Sequence, residues 1–285
     1  MSVNGELSKR MKDYYENISK TKLMRRTPVA IRIDGKAFHT FTRGFQKPFD
    51  KVLIKSMQET MKYLCENIQN CVLGYTQSDE ITLILVDYKN LNTAAWFDYE
   101  VQKMCSISAS MATIAFNKFF AENVKHLASI SGREIFESLT LEQHIAYEYA
   151  LNNAVEKGAM FDARVFNIPK EEVTNLIYWR QLDAIRNSIQ MVGQANFSHK
   201  ELQNKSCNQI QDMLMTEEGI NWNDFPTHQK QGTCCIKEEY YPEPIKWYED
   251  CDIDSTSVRT RWVIDEEIPI FKGEDRDYIE KLINF

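Results

Sequence analysis

The strongest constraint on the fold comes from short apolar runs that end in acidic residues. Residues 29–35 form a run rich in β-branched side chains that closes on an aspartate and a glycine. Residues 71–76 and 81–86 form two further runs of this kind, separated by the polar tetrad at 77–80. The pattern predicts a buried strand that ends in a sharp turn, followed by a β-hairpin with two acids at its tip.

Two of these acids, Asp34 and Asp79, come within a few ångströms of each other if the first strand pairs beside the hairpin. Carboxylates that close repel each other unless a cation binds between them. Mg²⁺ prefers oxygen ligands, and the backbone carbonyl of Gly35 could supply another. Two such ions that bridge phosphates are a common arrangement in phosphoryl and nucleotidyl transfer. The alternative is that both aspartates are polar turn residues at strand ends.

Two motifs around these acids resemble those of a known enzyme family. Residues 32–41 read Arg-Ile-Asp-Gly-Lys-Ala-Phe-His-Thr-Phe, residues 47–50 read Lys-Pro-Phe-Asp, and residues 74–80 read Gly-Tyr-Thr-Gln-Ser-Asp-Glu. They resemble the signatures of the tRNA-His guanylyltransferase family and its Thg1-like relatives. The resemblance implies a reverse polymerase, a metal-dependent nucleotidyltransferase that adds nucleotides to the 5′ end of a tRNA in the 3′–5′ direction.

The resemblance also implies roles for single residues. The predicted ligands of two Mg²⁺ ions are Asp34, Gly35 and Asp79. The predicted catalytic residues are Asp34, Asp79, Glu80 and Lys47. The predicted nucleotide-binding residues are Asp34, Gly35, Lys36, Ala37, Phe38, His39, Lys47, Ser78 and Asp79. Lys47 is the candidate for a triphosphate contact, and backbone amides of residues 35–39 are expected to cradle the phosphates. The implied substrates are ATP and GTP or other nucleoside triphosphates.

The second half of the chain carries part of the same resemblance. The matching residues are Trp179, Arg180, Gln181, Asp183, Asn187, Gly219, Trp222, Lys230 and Gly232. Members that act on tRNA-His carry the run His-Ile-Asn-Asn-Leu-Tyr-Asn after the aspartate, whereas residues 185–191 here read Ile-Arg-Asn-Ser-Ile-Gln-Met. This difference favours the Thg1-like branch, which is associated with template-dependent repair of 5′-truncated tRNA. The alternative is a strict tRNA-His guanylyltransferase that adds a single G.

Basic residues are concentrated at the start of the chain. The net charge is −7, but residues 1–62 hold 14 Lys and Arg against 6 Asp and Glu. A basic surface near the metal site would suit a phosphate-rich substrate. The candidates for tRNA contacts are Arg25, Arg26, Arg180, Asn187 and Lys230. Trp179 has two interpretations, a core residue of its helix or a part of the functional motif.

The predicted elements follow the order strand, helix, strand, strand, helix, strand. Asp50 is the expected N-cap of the first helix, over residues 51–69, and the second helix covers about 97–121. Residues 161–168 form the fourth strand. This order is that of the α+β, ferredoxin-like (split βαβ) fold. By analogy, the sheet is a polymerase palm with helices on one face and the other face free.

Two regions are expected. Residues 1–169 are the palm-like catalytic domain, with a helical insert at about 137–158. Residues 170–285 are a C-terminal region with a long helix, a loop and an acidic tail. No stretch approaches 18 apolar residues and no signal peptide is evident, so we expect a cytoplasmic protein without membrane association. The resemblance implies a homotetramer that binds tRNA and nucleoside triphosphates.

The sequence leaves two other functions open. A nucleotidyl cyclase can be built on the same palm fold and consumes GTP or ATP without RNA. A non-catalytic RNA-binding domain of ferredoxin-like fold is expected to carry aromatic residues on its sheet face. The predicted strands end in acids instead. Seven cysteines occur without a CxxC pair, so neither a zinc site nor a disulfide framework is expected.

Overall fold

The computed structural model describes residues 3–130, 140–241 and 258–285. This part of the chain forms an antiparallel sheet with the strand order β4-β1-β3-β2-β5-β6. The strands are β1 (Val29–Gly35), β2 (Cys71–Gln77), β3 (Glu80–Leu85), β4 (Phe161–Asn167), β5 (Thr233–Tyr240) and β6 (Arg259–Asp265). The expectation of a mixed helix and antiparallel-sheet fold is therefore confirmed.

Ten α-helical segments accompany the sheet in the described ranges. They are α1 (Val3–Met11), α2 (Phe38–Phe41), α3 (Lys51–Asn67), α4 (Val101–Ile130), α5 (Leu141–Lys157), α6 (Val173–Asn196), α7 (His199–Leu202), α8 (Cys207–Glu217), α9 (Thr227–Gln231) and α10 (Asp277–Ile283). The helix predicted over 97–121 begins at Val101 and continues to Ile130. Asp50 caps α3 as expected, because its side chain accepts a hydrogen bond from the Leu53 amide at 2.9 Å.

The hairpin turn is shorter than the sequence pattern predicts. Gln77 pairs with Glu80, so the strands include both ends of the predicted tetrad and only Ser78 and Asp79 form the turn. Ser78 has a φ of 51°, a left-handed conformation that tight hairpin turns require at a central position.

The core lies mainly between the sheet and the helices α3 and α4. Val29, Ile31 and Ile33 of β1 are fully buried there. Ala30 belongs to a second apolar cluster on the opposite face of the sheet. Side chains alternate along a strand, so Arg32 and Asp34 share this second face with Ala30.

The prediction that this second face is free is wrong over much of the sheet. Apolar residues of α6 and α10, among them Ile177 and Ile279, pack on Ala30 and Ile84. The polar end of β1 at Asp34 lies outside this cluster. The sequence pattern did not reveal the cover because both helices come from distant parts of the chain.

The C-terminal region contributes two strands to the same sheet as the first half of the chain. β5 and β6 extend the sheet formed by β1–β4, so the predicted boundary at residue 169 falls within one sheet. The helix α5 corresponds to the predicted insert at about 137–158. Residues 131–139 lie outside the described residues, and so do residues 242–257 of the predicted acidic tail. Within the described ranges, no helix is long and apolar enough to cross a membrane.

Candidate active site

The pairing of β1 with β3 brings the two predicted metal ligands to the same end of the sheet. Asp34 lies opposite Glu80 in the register, and the Gly35 amide donates to the Asp79 carbonyl at 3.0 Å. Asp34 therefore ends β1 beside the turn that carries Asp79. The backbone pairing therefore makes the two acids neighbours at this end of the sheet.

The electrostatics of this pair favour the uptake of a cation. Burial raises the pKa of Asp79, and the nearby charge of Asp34 raises it further. Arg164 is the nearest cation to Asp34, with its Nη2 3.7 Å from Oδ2, and it lies 3.6 Å from Asp162. These contacts are long and solvent-exposed, so they neutralise the acid pair only weakly.

The donor set for a metal is small. Among the residues that the structure describes, no three His, Cys, Asp or Glu side chains are grouped to hold a metal ion. An ion at Asp34 and Asp79 would therefore draw its remaining ligands from backbone, substrate or water oxygens, which is the usual situation of Mg²⁺ beside a bound phosphate.

The loop after β1 is shaped by the packing of Phe38. This side chain is buried against Phe41, Phe116 and Phe161, with ring centroids 5.1 to 5.6 Å apart. A Cβ atom at Gly35 would overlap the Phe38 ring, so a glycine is needed there. The side chain of Phe38 therefore packs beneath the loop, and only the backbone amide of this residue is available to a nucleotide.

Only some of the predicted amides are free to bind phosphate. The amides of Gly35 and Lys36 donate to the carbonyls of Asp79 and Met160, at 3.0 and 2.8 Å. Within the described chain, the amides of residues 37–39 have no protein acceptor. The phosphate cradle predicted over residues 35–39 is thus reduced to residues 37–39.

A cleft of about 700 Å³ opens between this loop and the hairpin turn. Its lining includes the predicted residues Gly35, Ala37, Phe38, His39, Lys47, Ser78 and Asp79. Lys36 is exposed, and neither Lys36 nor Asp34 lines the cleft, although Gly35, which follows Asp34, does. Arg43 and Gln194 also line it, and the sequence analysis assigned neither of them a role. Arg43 lies between the motif segments at 32–41 and 47–50, and this position was a usable signal, whereas nothing in the sequence marked Gln194.

Buried Asp50 ties the end of this loop to the inserted helix. The Tyr147 hydroxyl on α5 donates to Asp50 Oδ2 at 2.8 Å, and the Gln46 and Leu53 amides donate at 3.1 and 2.9 Å. Burial raises the pKa of Asp50, and these hydrogen bonds oppose that shift. The insert, to which the sequence assigned no role, therefore anchors the loop that borders the cleft.

Replacing Tyr147 with phenylalanine is expected to lower the free energy of unfolding by about 1.5–3 kcal/mol, because it removes a hydrogen bond to a buried carboxylate. Urea denaturation at pH 7 measures the change. Tyr149→Phe is the matched control, since this tyrosine lies on the same helix and is 69% exposed. Equal losses in both variants would contradict the proposed anchoring.

Glu80 lies in a buried ion-pair network and not in the cleft. It is 4% exposed. Its carboxylate accepts hydrogen bonds from Arg180 at 2.6 and 2.9 Å and from Arg32 at 2.7 Å. Both oxygens are engaged, so the prediction that Glu80 is a catalytic acid beside the metal is corrected to a role that links β1, β3 and α6.

The same network removes Arg180 from the candidate tRNA contacts. Arg180 is 5% exposed and also donates to Asp183 at 2.9 Å. Burial alone would lower the pKa of Arg180, but the carboxylates of Glu80 and Asp183 outweigh this effect and raise it. The guanidinium has no surface for a phosphate, so the prediction is wrong for this residue.

Arg25 and Arg26 lie at the wrong end of β1 for contacts at the metal site. Val29 and Asp34, at the two ends of the strand, are roughly 17 Å apart at the usual rise per residue. Arg25 Nε donates to buried Asp87 at 2.8 Å, and the Arg26 amide donates to the same carboxylate at 2.9 Å. The predicted basic surface around the acid pair therefore does not include them.

Asn187 and Lys230 differ in their positions. Asn187 lines a cavity of about 80 Å³ together with Ser78, next to the hairpin turn. Lys230 donates to the Asn223 carbonyl at 2.6 Å and lies 5.4 Å from the ring centroid of Trp222, so its local role is structural. Asn187 therefore lies near the candidate site, whereas Lys230 contacts residues of its own loop.

Comparisons with known proteins identify the family of the chain. The family model described as "Thg1: tRNAHis guanylyltransferase" matches residues 8–169. The tRNA(His) guanylyltransferase of Saccharomyces cerevisiae is 27% identical over 226 residues, which cover 74% of this chain and 82% of the yeast protein.

Two solved structures are similar over almost the whole chain. A bacterial tRNA(His) guanylyltransferase (Thg1)-like protein in complex with ATP is 41% identical with a TM-score of 0.75, and the match covers 97% of this chain and 98% of that one. A structure of the same description in complex with GTP is 38% identical with a TM-score of 0.71, and the match covers 98% and 100%. Because the family model spans more than half of the sequence, the chain belongs to the Thg1 family of tRNA-His guanylyltransferases and is a nucleotidyltransferase.

Proposed function

We propose that this enzyme adds nucleotides to the 5′ end of tRNA in the 3′–5′ direction, with Mg²⁺ as its metal. The observation that carries the proposal is that β1 ends with Asp34 beside the turn that carries Asp79, and that Asp79 lines a cleft together with Arg43 and Lys47. Nucleotidyl transfer requires carboxylates that bind metal ions and, beside them, basic side chains that bind the phosphates. The bacterial relatives in complex with ATP and with GTP support nucleoside triphosphates as substrates.

The element order β1, α3, β2, β3, α4, β4 and the sheet order of these strands support a ferredoxin-like palm as the catalytic core. In this proposal the acids at the ends of β1 and of the hairpin form the palm's metal site. The helices α3 and α4 cover its rear face, and the end of the second face that carries Asp34 receives RNA.

The residues present fit two Mg²⁺ ions held by Asp34, Asp79 and the Gly35 carbonyl. Burial raises the pKa of Asp79 and the charge of Asp34 adds to this shift, and a bound cation would oppose both effects by stabilising the carboxylates. When bound, the ions supply charge neutralisation at the transferring phosphoryl group and lower the pKa of an attacking 3′-hydroxyl.

The protein's own groups bind and orient the substrates. The free amides of residues 37–39, with Lys47 and Arg43, hold the triphosphate, and the Ser78 hydroxyl orients the Asp79 carboxylate through a hydrogen bond at 3.1 Å. The family chemistry has two stages: the 5′-monophosphate attacks the α-phosphate of ATP and releases pyrophosphate, and the 3′-hydroxyl of an incoming nucleotide then attacks the adenylylated 5′ end and displaces AMP. A tRNA that already carries a 5′-triphosphate needs no activation.

We further propose that the physiological reaction is template-dependent repair of 5′-truncated tRNA. The support is the sequence of residues 185–191, which lacks the run found in members that act on tRNA-His. Addition of a single G to tRNA-His is the alternative within the same chemistry. We propose a cytoplasmic location for either reaction, because tRNA and nucleoside triphosphates are both present there.

Incubation with Mg²⁺, labelled GTP or ATP, and tRNA species lacking the first 5′ nucleotide tests both points. Label at the 5′ end that depends on the opposing template base is expected. Label confined to tRNA-His, whatever the template base, would favour the strict guanylyltransferase. A cyclic nucleotide, or RNA binding without any product, would overturn the proposal.

Lys47→Ala is expected to lower kcat/KM for the nucleoside triphosphate by about 10- to 100-fold, because it removes one charge-assisted contact to phosphate. The dissociation constant for tRNA is expected to stay within about twofold. Steady-state kinetics and filter binding measure the two quantities. Lys51→Ala is the control, since this exposed lysine begins α3 outside the cleft. A larger effect on tRNA than on nucleotide would contradict the assignment.

We also propose a homotetramer. The support is a row of exposed apolar side chains on α1 and the turns that follow it: Leu7, Met11, Tyr14, Tyr15 and Ile18. Exposed apolar surfaces of this kind usually mark protein interfaces. Light scattering is expected to give four times the chain mass of 33.4 kDa, and Ile18→Glu is expected to lower it. A monomeric wild-type protein would exclude the proposal.

A further inference from the structure

Trp179 is an exposed aromatic residue held in a fixed position. It is 52% exposed on α6, although large aromatic side chains are commonly buried. Its ring centroid lies 4.6 Å from the guanidinium carbon of Arg180 and 5.5 Å from that of Arg32. Both arginines are themselves tied to Glu80, so the two cations fix the indole while about half of its surface stays open.

This tryptophan is connected to the acid pair by a short strip of side chains. Arg32 precedes Asp34 by two residues on β1, so both lie on the same face about 7 Å apart. Arg164 of β4 is paired with Arg32 in the register, and its Nη2 lies 3.7 Å from Asp34 Oδ2. We call Trp179, Arg32, Arg164 and Asp34 the tryptophan strip.

Two features of the strip suit an anionic ligand with an aromatic group. The Nε atom of Arg32 is buried and has no hydrogen-bond partner within the described chain. β4 is the edge strand of the sheet, and the Arg164 side chain is more than half exposed. The strip therefore offers an open aromatic face and an accessible cation next to the proposed metal site, and the unpaired Arg32 Nε lies beneath that surface.

We propose that Trp179 stacks on the terminal base at the 5′ end of the RNA substrate, with Arg32 and Arg164 beside its phosphate. Aromatic side chains and arginines are the groups that bind unpaired RNA ends. The nucleoside triphosphate occupies the cleft on the Asp79 side, so the two substrates reach the acid pair from different sides. The inference rests on the proposed function because it takes RNA as the substrate.

An acceptor-stem RNA hairpin with 2-aminopurine as its 5′-terminal base tests the stacking directly. Wild-type protein is expected to quench the fluorescence, Trp179→Ala to lose the quenching, and Trp179→Phe to retain most of it. Tyr241→Ala, which removes an exposed aromatic residue at the other end of the sheet, is expected to behave as wild type. The same probe at an internal paired position is expected to report no difference between variants.

Kinetics give a second readout. Trp179→Ala is expected to raise KM for RNA about tenfold or more and to leave KM for the nucleoside triphosphate within about twofold. Thermal melting checks that the variant is folded. Unchanged quenching and RNA KM in Trp179→Ala would overturn the inference, as would an increase confined to the nucleotide KM, since the nucleotide base would then occupy Trp179.

Failure of the stacking proposal is distinct from failure of the proposed function. If only the strip is wrong, wild type and Trp179→Ala extend the truncated tRNA equally. If RNA is not the substrate, wild-type protein neither extends the tRNA nor quenches the probe, and both proposals fall together.

Discussion

Replacement of Asp79 by asparagine is expected to reduce nucleotide addition by about a thousandfold, which corresponds to about 4 kcal/mol of lost transition-state stabilisation. The side chain keeps its shape but loses the charge that would hold the metal ions between β1 and the hairpin. The rate of 5′ extension at saturating Mg²⁺ measures the effect.

The stability of Asp79→Asn is expected to equal or exceed that of wild type at pH 7. Burial raises the pKa of Asp79, so the folded state disfavours the charge that the substitution removes. Asp162→Asn is the control, because this exposed acid lies opposite Asp34 in the β1–β4 register but outside the predicted donor set. Its activity is expected to stay within a few-fold of wild type, and an active Asp79→Asn enzyme would exclude the metal assignment.

The raised pKa of Asp79 also predicts opposite pH dependences of stability and activity. The folded state binds this proton more tightly than the unfolded state does, because the pKa of Asp79 is raised on folding. The bound proton therefore stabilises the fold at pH values below the ordinary pKa of 3.8, and this stabilisation is lost as the pH rises through the raised pKa. Metal binding needs the carboxylate, so activity is expected to rise through the same window, which lies above 3.8. Higher Mg²⁺ concentrations are expected to move the activity profile to lower pH, because metal and proton compete for one group.

Replacement of Glu80 by glutamine is expected to lower the free energy of unfolding by about 3–5 kcal/mol, because it leaves the buried guanidinium of Arg180 without its main counter-charge. Urea denaturation measures the loss. Glu66→Gln, an exposed substitution on α3, is expected to change stability by at most about 0.5 kcal/mol.

The double variant Glu80→Gln/Arg180→Met separates a charge effect from loss of packing. Removing both charges avoids the uncompensated cation, so the double variant is expected to be more stable than Glu80→Gln alone. If Glu80 were a catalytic acid without a structural role, Glu80→Gln would melt like wild type and lose only activity. The bidentate contact with Arg180 argues for the first outcome.

Local sequence signals were sufficient to predict the strands, the positions of Asp34 and Asp79 along the chain, and the family. The apolar runs of β1, β2 and β3 have the period and length of strands, Asp34 is the second-last residue of β1, and Asp79 lies in the turn between β2 and β3. A two-residue hairpin leaves little freedom of register, so the position of Asp79 beside the end of β1 followed once the two strands paired.

The failed predictions concern residues whose partners are distant in the chain. Glu80 follows Asp79, which made it look like a metal-site acid, but its partner Arg180 lies 100 positions away. Arg25 was a candidate for a tRNA contact on a basic surface near the metal site, but it precedes β1 and is therefore separated from Asp34 by the length of that strand.

By itself, the sequence determined that this chain is a Thg1-family nucleotidyltransferase with an acid at the end of one strand and another in a tight turn, because these features depend on short-range order and on motif spacing. Only the tertiary structure decided that Glu80 is structural, that α5 anchors the loop through Tyr147, and that Trp179 is exposed. Each of these depends on which surfaces α5 and α6 cover, and that is set by packing between segments that no local pattern connects.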